Sequence, residues 1–174
     1  MEAARAPRDD EFARLAELHR LAVRAALPER GGEVFAARET AGEPVEDWLR
    51  DRAARGGVWA GTVDESVVGY AVAAIEDARG GMRLARIEAL FVEAGARGVG
   101  VGAAMMAAVL DWSATNSCTG VDAWALPGDR NTKNFFEGSG FSARLLTMHH
   151  SFGPRRERPE REGGGIRRAP QVTL

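Results

Sequence analysis

The stretch from Arg86 to Trp112, RIEALFVEAGARGVGVGAAMMAAVLDW, decides the fold. It reads as a strand over Ile87 to Val92, a glycine-rich turn Arg97-Gly98-Val99-Gly100-Val101-Gly102, and a helix to about Trp112. Three glycines at alternate positions open backbone conformations that a Cβ forbids and let a ligand approach the main chain closely. A helix starting at about Gly100 or Gly102 leaves its first N–H groups without partners, and the positive end of its dipole points the same way. Strand, turn and helix N-terminus therefore predict an anion site suited to phosphate, to which Arg97 adds a guanidinium.

Three β-rich runs lead into the turn. Val58 to Val63, Val67 to Ile75 and Met82 to Val92 are β-branched and apolar, and the polar or glycine-rich joints at Asp64-Glu65-Ser66 and 77–81 are hairpin signals. Gly69 inside the middle run marks a bulge, a close backbone approach or a packing requirement. Upstream, Ala3 to Ala6 reads as a short strand. Asp9, Asp10 and Glu11 place negative charge at the start of a helix whose apolar face is Phe12, Leu15, Leu18, Ala22 and Ala25. Pro28 and Gly31-Gly32 end that pattern, and a second helix starts at Pro44 and closes at Gly56-Gly57.

Downstream, the spacing of Val101, Met105, Val109 and Trp112, with Met106, Leu110 and Ala114 on a second face, predicts a buried helix. Val121 to Leu126 reads as a fifth strand. Asp129-Arg130-Asn131 opens a short helix carrying Phe135 and Phe136 and closed by Gly138 to Gly140, and Phe141 to Phe152 reads as the last strands. From Gly153 onward Pro, Arg, Glu and Gly dominate. The expected organisation is one domain over 1–152 and a disordered tail over 153–174.

A chain of 174 residues is long enough to bury about 70% of its unfolded surface, so neither a disulfide nor a metal staple is required, and no metal site is expected. Cys118 is the single cysteine, and no apolar run reaches the length of a membrane span, which leads to the expectation of a cytoplasmic protein without membrane contact. A net charge of -2 argues against a nucleic-acid partner held by phosphate neutralisation. Between Glu29 and Asp51 acids outnumber bases. That segment is read either as a solvated helix face or as an acidic lip that attracts a cationic amine.

Two architectures accommodate the turn. Gly98-x-Gly100-x-x-Ala103, with Asp122 about 20 residues on, satisfies the dinucleotide pattern and makes a nicotinamide-nucleotide protein the minor alternative. The same residues, read as Arg97-x-x-Gly100-x-Gly102, resemble the Gln/Arg-x-x-Gly-x-Gly/Ala signature of the GNAT superfamily of acyl-CoA-dependent N-acetyltransferases. Gly140-Phe141 stands where that family has a Gly-Phe. The resemblance implies an α/β fold: a mixed, mostly antiparallel sheet flanked by helices and splayed between its fourth and fifth strands, with acetyl-CoA in the gap.

By that resemblance the main chain of Leu90, Phe91 and Val92 pairs with the pantetheine amides and helps polarise the thioester carbonyl. Arg97, Gly98, Val99, Gly100, Val101, Gly102 and Ala103 hold the pyrophosphate, and Asn131 and Phe136 complete the cofactor side. The activity implied is transfer of an acetyl group to a primary amine of a small molecule or peptide, and the family permits a homodimer. Glu88 resembles the family's strand acid that serves as general base; it is equally read as a cross-strand partner for an arginine such as Arg83 or Arg86, and Glu93 is the alternative base. Phe136 stands where the family often has the tyrosine that protonates the thiolate. Water, Ser139 or His149 then takes that role, or the protein binds acyl-CoA without catalysis.

Overall fold

A computed structural model describes residues 1–152 of the chain, and the hairpin-linked runs stand at the centre of its sheet. Strands β1 (Glu2–Arg5), β2 (Val58–Val63), β3 (Ser66–Asp77), β4 (Arg83–Val92) and β5 (Gly120–Asp122) lie side by side in that order. The first four pair antiparallel, and β4 pairs with β5 in parallel. Parallel neighbours need a crossover, and helix α4, numbered in chain order and spanning Val101–Thr115, supplies it. The other helices are α1 (Phe12–Ala26), α2 (Gly32–Arg38), α3 (Val45–Ala54) and α5 (Arg130–Gly138).

Side chains alternate across the strands, so each face of the sheet carries its own core. Phe12, Leu15 and Leu18 of α1 and Val45 and Leu49 of α3 pack with Val58, Ala60, Tyr70 and Val72. On the other face Val101, Met105, Met106 and Val109 of α4 meet Trp59, Ala71, Ala73 and Ile87. Gly61 and Gly69 face each other across β2 and β3 at an irregularity in the ladder. A Cβ on Gly61 would lie 2.7 Å from the Met105 sulfur, and one on Gly69 2.8 Å from the Phe91 carbonyl oxygen. Both the bulge and the close approach expected at Gly69 are therefore present, because α4 and β4 come too near for a side chain.

The chain divides into two units, Met1–Ser142 and Ala143–Leu174. All regular structure among the described residues lies in the first. In the second, residues 143–152 form neither helix nor strand, and the rings of His150 and Phe152 meet at 5.1 Å. The strands expected over Phe141 to Phe152 are thus not formed among the described residues: β-branched and apolar composition makes a strand only where a ladder receives it. The tail expected over 153–174 lies outside the described residues.

Three further boundaries differ from the sequence reading. The segment after Gly31 forms a short helix, α2, where a loop is expected; Gly31 precedes it in the left-handed region at φ 84°. β5 stops at Asp122 instead of Leu126. Helix α4 is not buried all round, since Ala103, Ala107 and Ala114 face solvent while Val101, Met105 and Val109 face the sheet.

Arg5 of β1 anchors the start of α1. Its guanidinium donates to both Glu11 carboxylate oxygens at 2.8 and 2.6 Å, and Glu11 also accepts from the Arg8 N–H at 2.7 Å. The guanidinium beside it holds the Glu11 carboxyl at about 2, below its ordinary 4.5. A lowered folded-state pKa contributes stability above the unfolded value that is lost as pH falls through the folded one. Glu11→Gln should cost about 1 to 2 kcal/mol at neutral pH, the pair being partly shielded from solvent. Urea titrations from pH 7 down to about pH 2 should show that gap closing below about pH 4.5.

Candidate functional site

The ladder between β4 and β5 consists of Leu84 with Gly120, Ala85 with Val121 and Arg86 with Asp122. β4 runs on to Val92, so from Ile87 its outer edge has no strand beside it among the described residues. On its inner side Val72 pairs with Ala89 and Ala73 with Ile87, which leaves Glu88 as the extra residue of a β-bulge. A bulge bends its strand and re-aims its side chains. Ile87 accordingly packs under α4, whereas Ala89 and Phe91 join the core under α1 and α3.

Glu88 points to the α3 side, with its side chain 11% exposed. Its Oε2 accepts from Arg52 Nε at 2.7 Å and its Oε1 from another Arg52 nitrogen at 3.1 Å. Arg86 reaches the same Oε1 at 3.4 Å. Glu88 holds the Arg52 guanidinium above its ordinary pKa, the hydrogen bond being the largest cause. Of the expected arginine partners Arg86 is therefore secondary, and Arg83 pairs with Asp77 at 2.7 Å. Arg52, 36 residues away on a helix, gave no sequence signal. Glu93, the alternative base, is held by Arg14 of α1 at 2.7 Å.

At the turn Gly98 and Gly100 take φ of 82° and 99°, in the region that favours glycine. Gly100 is the N-cap of α4 and brings no capping side chain. The N–H groups of Val101, Gly102 and Ala103 precede the first helical bond, from Ala104 N to Gly100 O at 2.9 Å. Val99 is exposed and Val101 is buried in the core. Arg97 folds back over the strand end: its Nε donates to the Val92 carbonyl at 3.0 Å, and its guanidinium lies 5.7 Å from the Phe91 ring centre. Leu90 and Val92 pack toward α4. The donors and open strand edge suit a pyrophosphate with an amide-bearing arm.

Helix α5 is capped by Asp129, which accepts from the Thr132 N–H at 3.0 Å. Asn131 is exposed in its first turn. Phe136 is buried between Phe135 and Phe141, with ring centres 5.7 and 5.3 Å away. A Cβ on Gly102 would lie 3.3 Å from the Phe135 ring, so α5 closes against the start of α4. The Ser139 hydroxyl donates to the Phe135 carbonyl at 2.9 Å.

Two cavities flank β4. One of about 910 Å³ runs along Phe91, Glu93 to Arg97 and Val99, with Leu21 and Ala25 of α1 opposite. The other, about 260 Å³, is lined by Arg38, Glu39, Thr40, Ala41, Trp48, Arg86, Glu88 and Trp124. Its Ala41 wall is tied to the core by His19, 3% exposed: His19 Nε2 donates to the Ala41 carbonyl at 3.3 Å, so Nδ1 accepts from the Tyr70 hydroxyl at 2.9 Å. Burial lowers the His19 pKa and raises that of Tyr70, keeping both neutral. Of the acids between Glu29 and Asp51, Glu43 pairs with Arg20 and Asp51 with Arg52 and Arg55, while Glu39 lies 3.9 Å from Arg38. Among the described residues no group of His, Cys, Asp and Glu is placed to hold a metal, and no helix is long and apolar enough to cross a membrane.

The family model described as "Acetyltransferase (GNAT) family" matches residues 15–141. No curated protein sequence matches the chain. Among solved structures, a tetramutant of the BH1408 protein of Bacillus halodurans is 17% identical, with a TM-score of 0.71 over 86% of this chain and 99% of the other. A ribosomal-protein-alanine N-acetyltransferase of Brucella melitensis is 19% identical, with a TM-score of 0.63 over 88% and 100%. A protein of Clostridium acetobutylicum described as a predicted acetyltransferase and solved with acetyl-CoA is 12% identical, with a TM-score of 0.64 over 87% and 96%. At these identities the likeness concerns the fold, a mostly antiparallel sheet and not the doubly wound parallel sheet that the dinucleotide pattern requires.

The Arg52–Glu88 pair should behave as a coupled unit. In a double-mutant cycle of Arg52→Met and Glu88→Gln, read by urea unfolding, we expect a coupling energy of about 1 to 2 kcal/mol.

Proposed function

The chain belongs to the acetyltransferase (GNAT) family, and we propose that it moves an acetyl group from acetyl-CoA to a primary amine of a small molecule or peptide. The observation that carries this is the unpaired edge of β4 beyond Arg86, between an uncapped helix N-terminus on one side and the pocket containing Glu88 on the other. The Val101, Gly102 and Ala103 N–H groups and the glycine turn would hold the pyrophosphate, with Arg97 swinging off Val92 to join them. Main-chain groups of Leu90 to Val92 would hold the pantetheine arm, and an N–H there would polarise the carbonyl, a contribution of roughly 3 to 4 kcal/mol for such donors. Acetyl-CoA supplies a thioester whose carbon takes the amine lone pair while the C–S bond breaks and the sulfur leaves with its electrons.

The amine arrives as an ammonium, so a proton must leave before attack. Glu88 is the candidate base in the 260 Å³ pocket, and it takes the proton only by loosening one of its bonds to Arg52 or Arg86. Phe136 has no proton for the leaving thiolate and Ser139 is engaged with Phe135, which leaves water or His149 as the donor. A thiol with a cysteine-like pKa near 8.5 leaves as thiolate with little help. A second reading, an acyl-CoA-binding module without turnover, draws on Phe136 and on the clamped Glu88.

Acetyl-CoA and CoA at about 100 times their dissociation constant should each raise the unfolding temperature by roughly 5 to 10 °C, while NAD should leave it unchanged. Gly100→Ala should reduce the acetyl-CoA shift, because its φ of 99° is strained for any Cβ. Glu88→Gln should lower kcat at neutral pH at least tenfold with almost unchanged acetyl-CoA affinity. Undiminished turnover in that variant removes Glu88 from the chemistry; binding without CoA release across a broad amine panel establishes the second reading.

A further inference from the structure

We propose that the pocket beside Glu88 selects an acceptor carrying a carboxylate as well as its amine, a free amino acid or close analogue, with Arg86 and Arg38 holding the carboxylate. This rests on the acetyltransferase reading of the same site. The under-used groups on the pocket wall are donors. Among the described residues the buried Arg86 Nε has no hydrogen-bond partner, while one of its terminal nitrogens reaches Glu76 at 2.8 Å and Glu88 at 3.4 Å. Buried donors without partners are rare and costly. The Arg38 guanidinium, 73% exposed, approaches Glu39 only at 3.9 Å, beyond hydrogen-bond distance.

The acids of the pocket offer less to a bare cation than their number suggests. Both oxygens of Glu88 already accept from Arg52, and Glu39, the other acid of the pocket, stands 3.9 Å from the Arg38 guanidinium. A carboxylate is the planar two-oxygen match for a guanidinium, and turning Arg86 to meet it would give the orphan N–H an acceptor. The ligand's amine would then face Glu88 and the open edge of β4. About 260 Å³ lies below the range of about 300 to 1,000 Å³ for pockets of drug-sized ligands, which suits a molecule of amino-acid size. Trp48 and Trp124 line the same cavity and offer apolar faces to the side chain.

The test compares amines that differ only by the carboxylate: phenylalanine with phenethylamine, leucine with isopentylamine, lysine with cadaverine. Binding is followed by tryptophan fluorescence in the presence of CoA, and CoA release is followed with acetyl-CoA. In at least one pair the acid should bind at least tenfold tighter than its decarboxylated partner and show the larger kcat/KM. In Arg38→Gln, a change at an exposed position that removes no core packing, that ratio should fall toward one through KM and not kcat. Equal binding of the two members of every pair, a preference for the decarboxylated amines, or no binding of either overturns the proposal. CoA release from the decarboxylated amines alone overturns it while leaving the acetyltransferase reading intact. Tighter binding of the acid without any CoA release supports the pocket assignment and instead sinks the catalytic reading.

Discussion

The parallel ladder between β4 and β5 stops after three residue pairs, and the site exists because it stops there. Backbone donors and acceptors in a folded chain require partners. From Ile87 to Val92 the outer edge of β4 lacks a neighbouring strand among the described residues, which leaves its groups available to a ligand that presents amides. Glu88, two residues beyond the last rung, is the extra residue of a bulge opposite Val72 and Ala73, and its side chain meets α3 through Arg52.

Arginine fixes the surrounding elements. Arg52 joins α3 to β4 through Glu88, Arg14 joins α1 to the strand end through Glu93, and Arg5 joins β1 to the start of α1 through Glu11. Each pair is at least partly shielded and ties an acid to a neighbouring element. The neutral His19–Tyr70 pair does the same without charge, holding the Ala41 carbonyl where it borders the smaller pocket. The result is a cavity in which Glu88 is engaged by Arg52 while Arg86 and Arg38 retain unused donors, which is why its chemistry suits an anionic group on the acceptor.

The glycine turn and the helix that follows couple the two ends of this arrangement. Gly100 starts α4 in a conformation that leaves the first N–H groups open, and Met105, one turn on, packs into the space left by Gly61 and Gly69. The start of α4 is therefore seated on the sheet core, and Phe135 of α5 packs against it at Gly102. A change at the Gly61–Gly69 crossing would move the start of α4 without touching it.

By itself the sequence determined the hairpin-linked strands, the amphipathic faces of α1 and α3, the glycine turn at Gly98 to Gly102 and, with Gly140-Phe141, the family. These are local signals, carried by periodicity or by backbone conformations that only glycine takes freely. Only the tertiary structure decided that Glu88 is a bulge residue, that Arg52 and not Arg83 is its main partner, that β5 ends at Asp122 and that Trp48 and Trp124 share a pocket with Arg38 and Arg86. It also added α2 and left residues 141–152 without a strand. The physical reason is common to all of these. A ladder register and an ion pair between residues 36 apart depend on which surfaces meet after folding, and neither periodicity nor propensity along the chain records that.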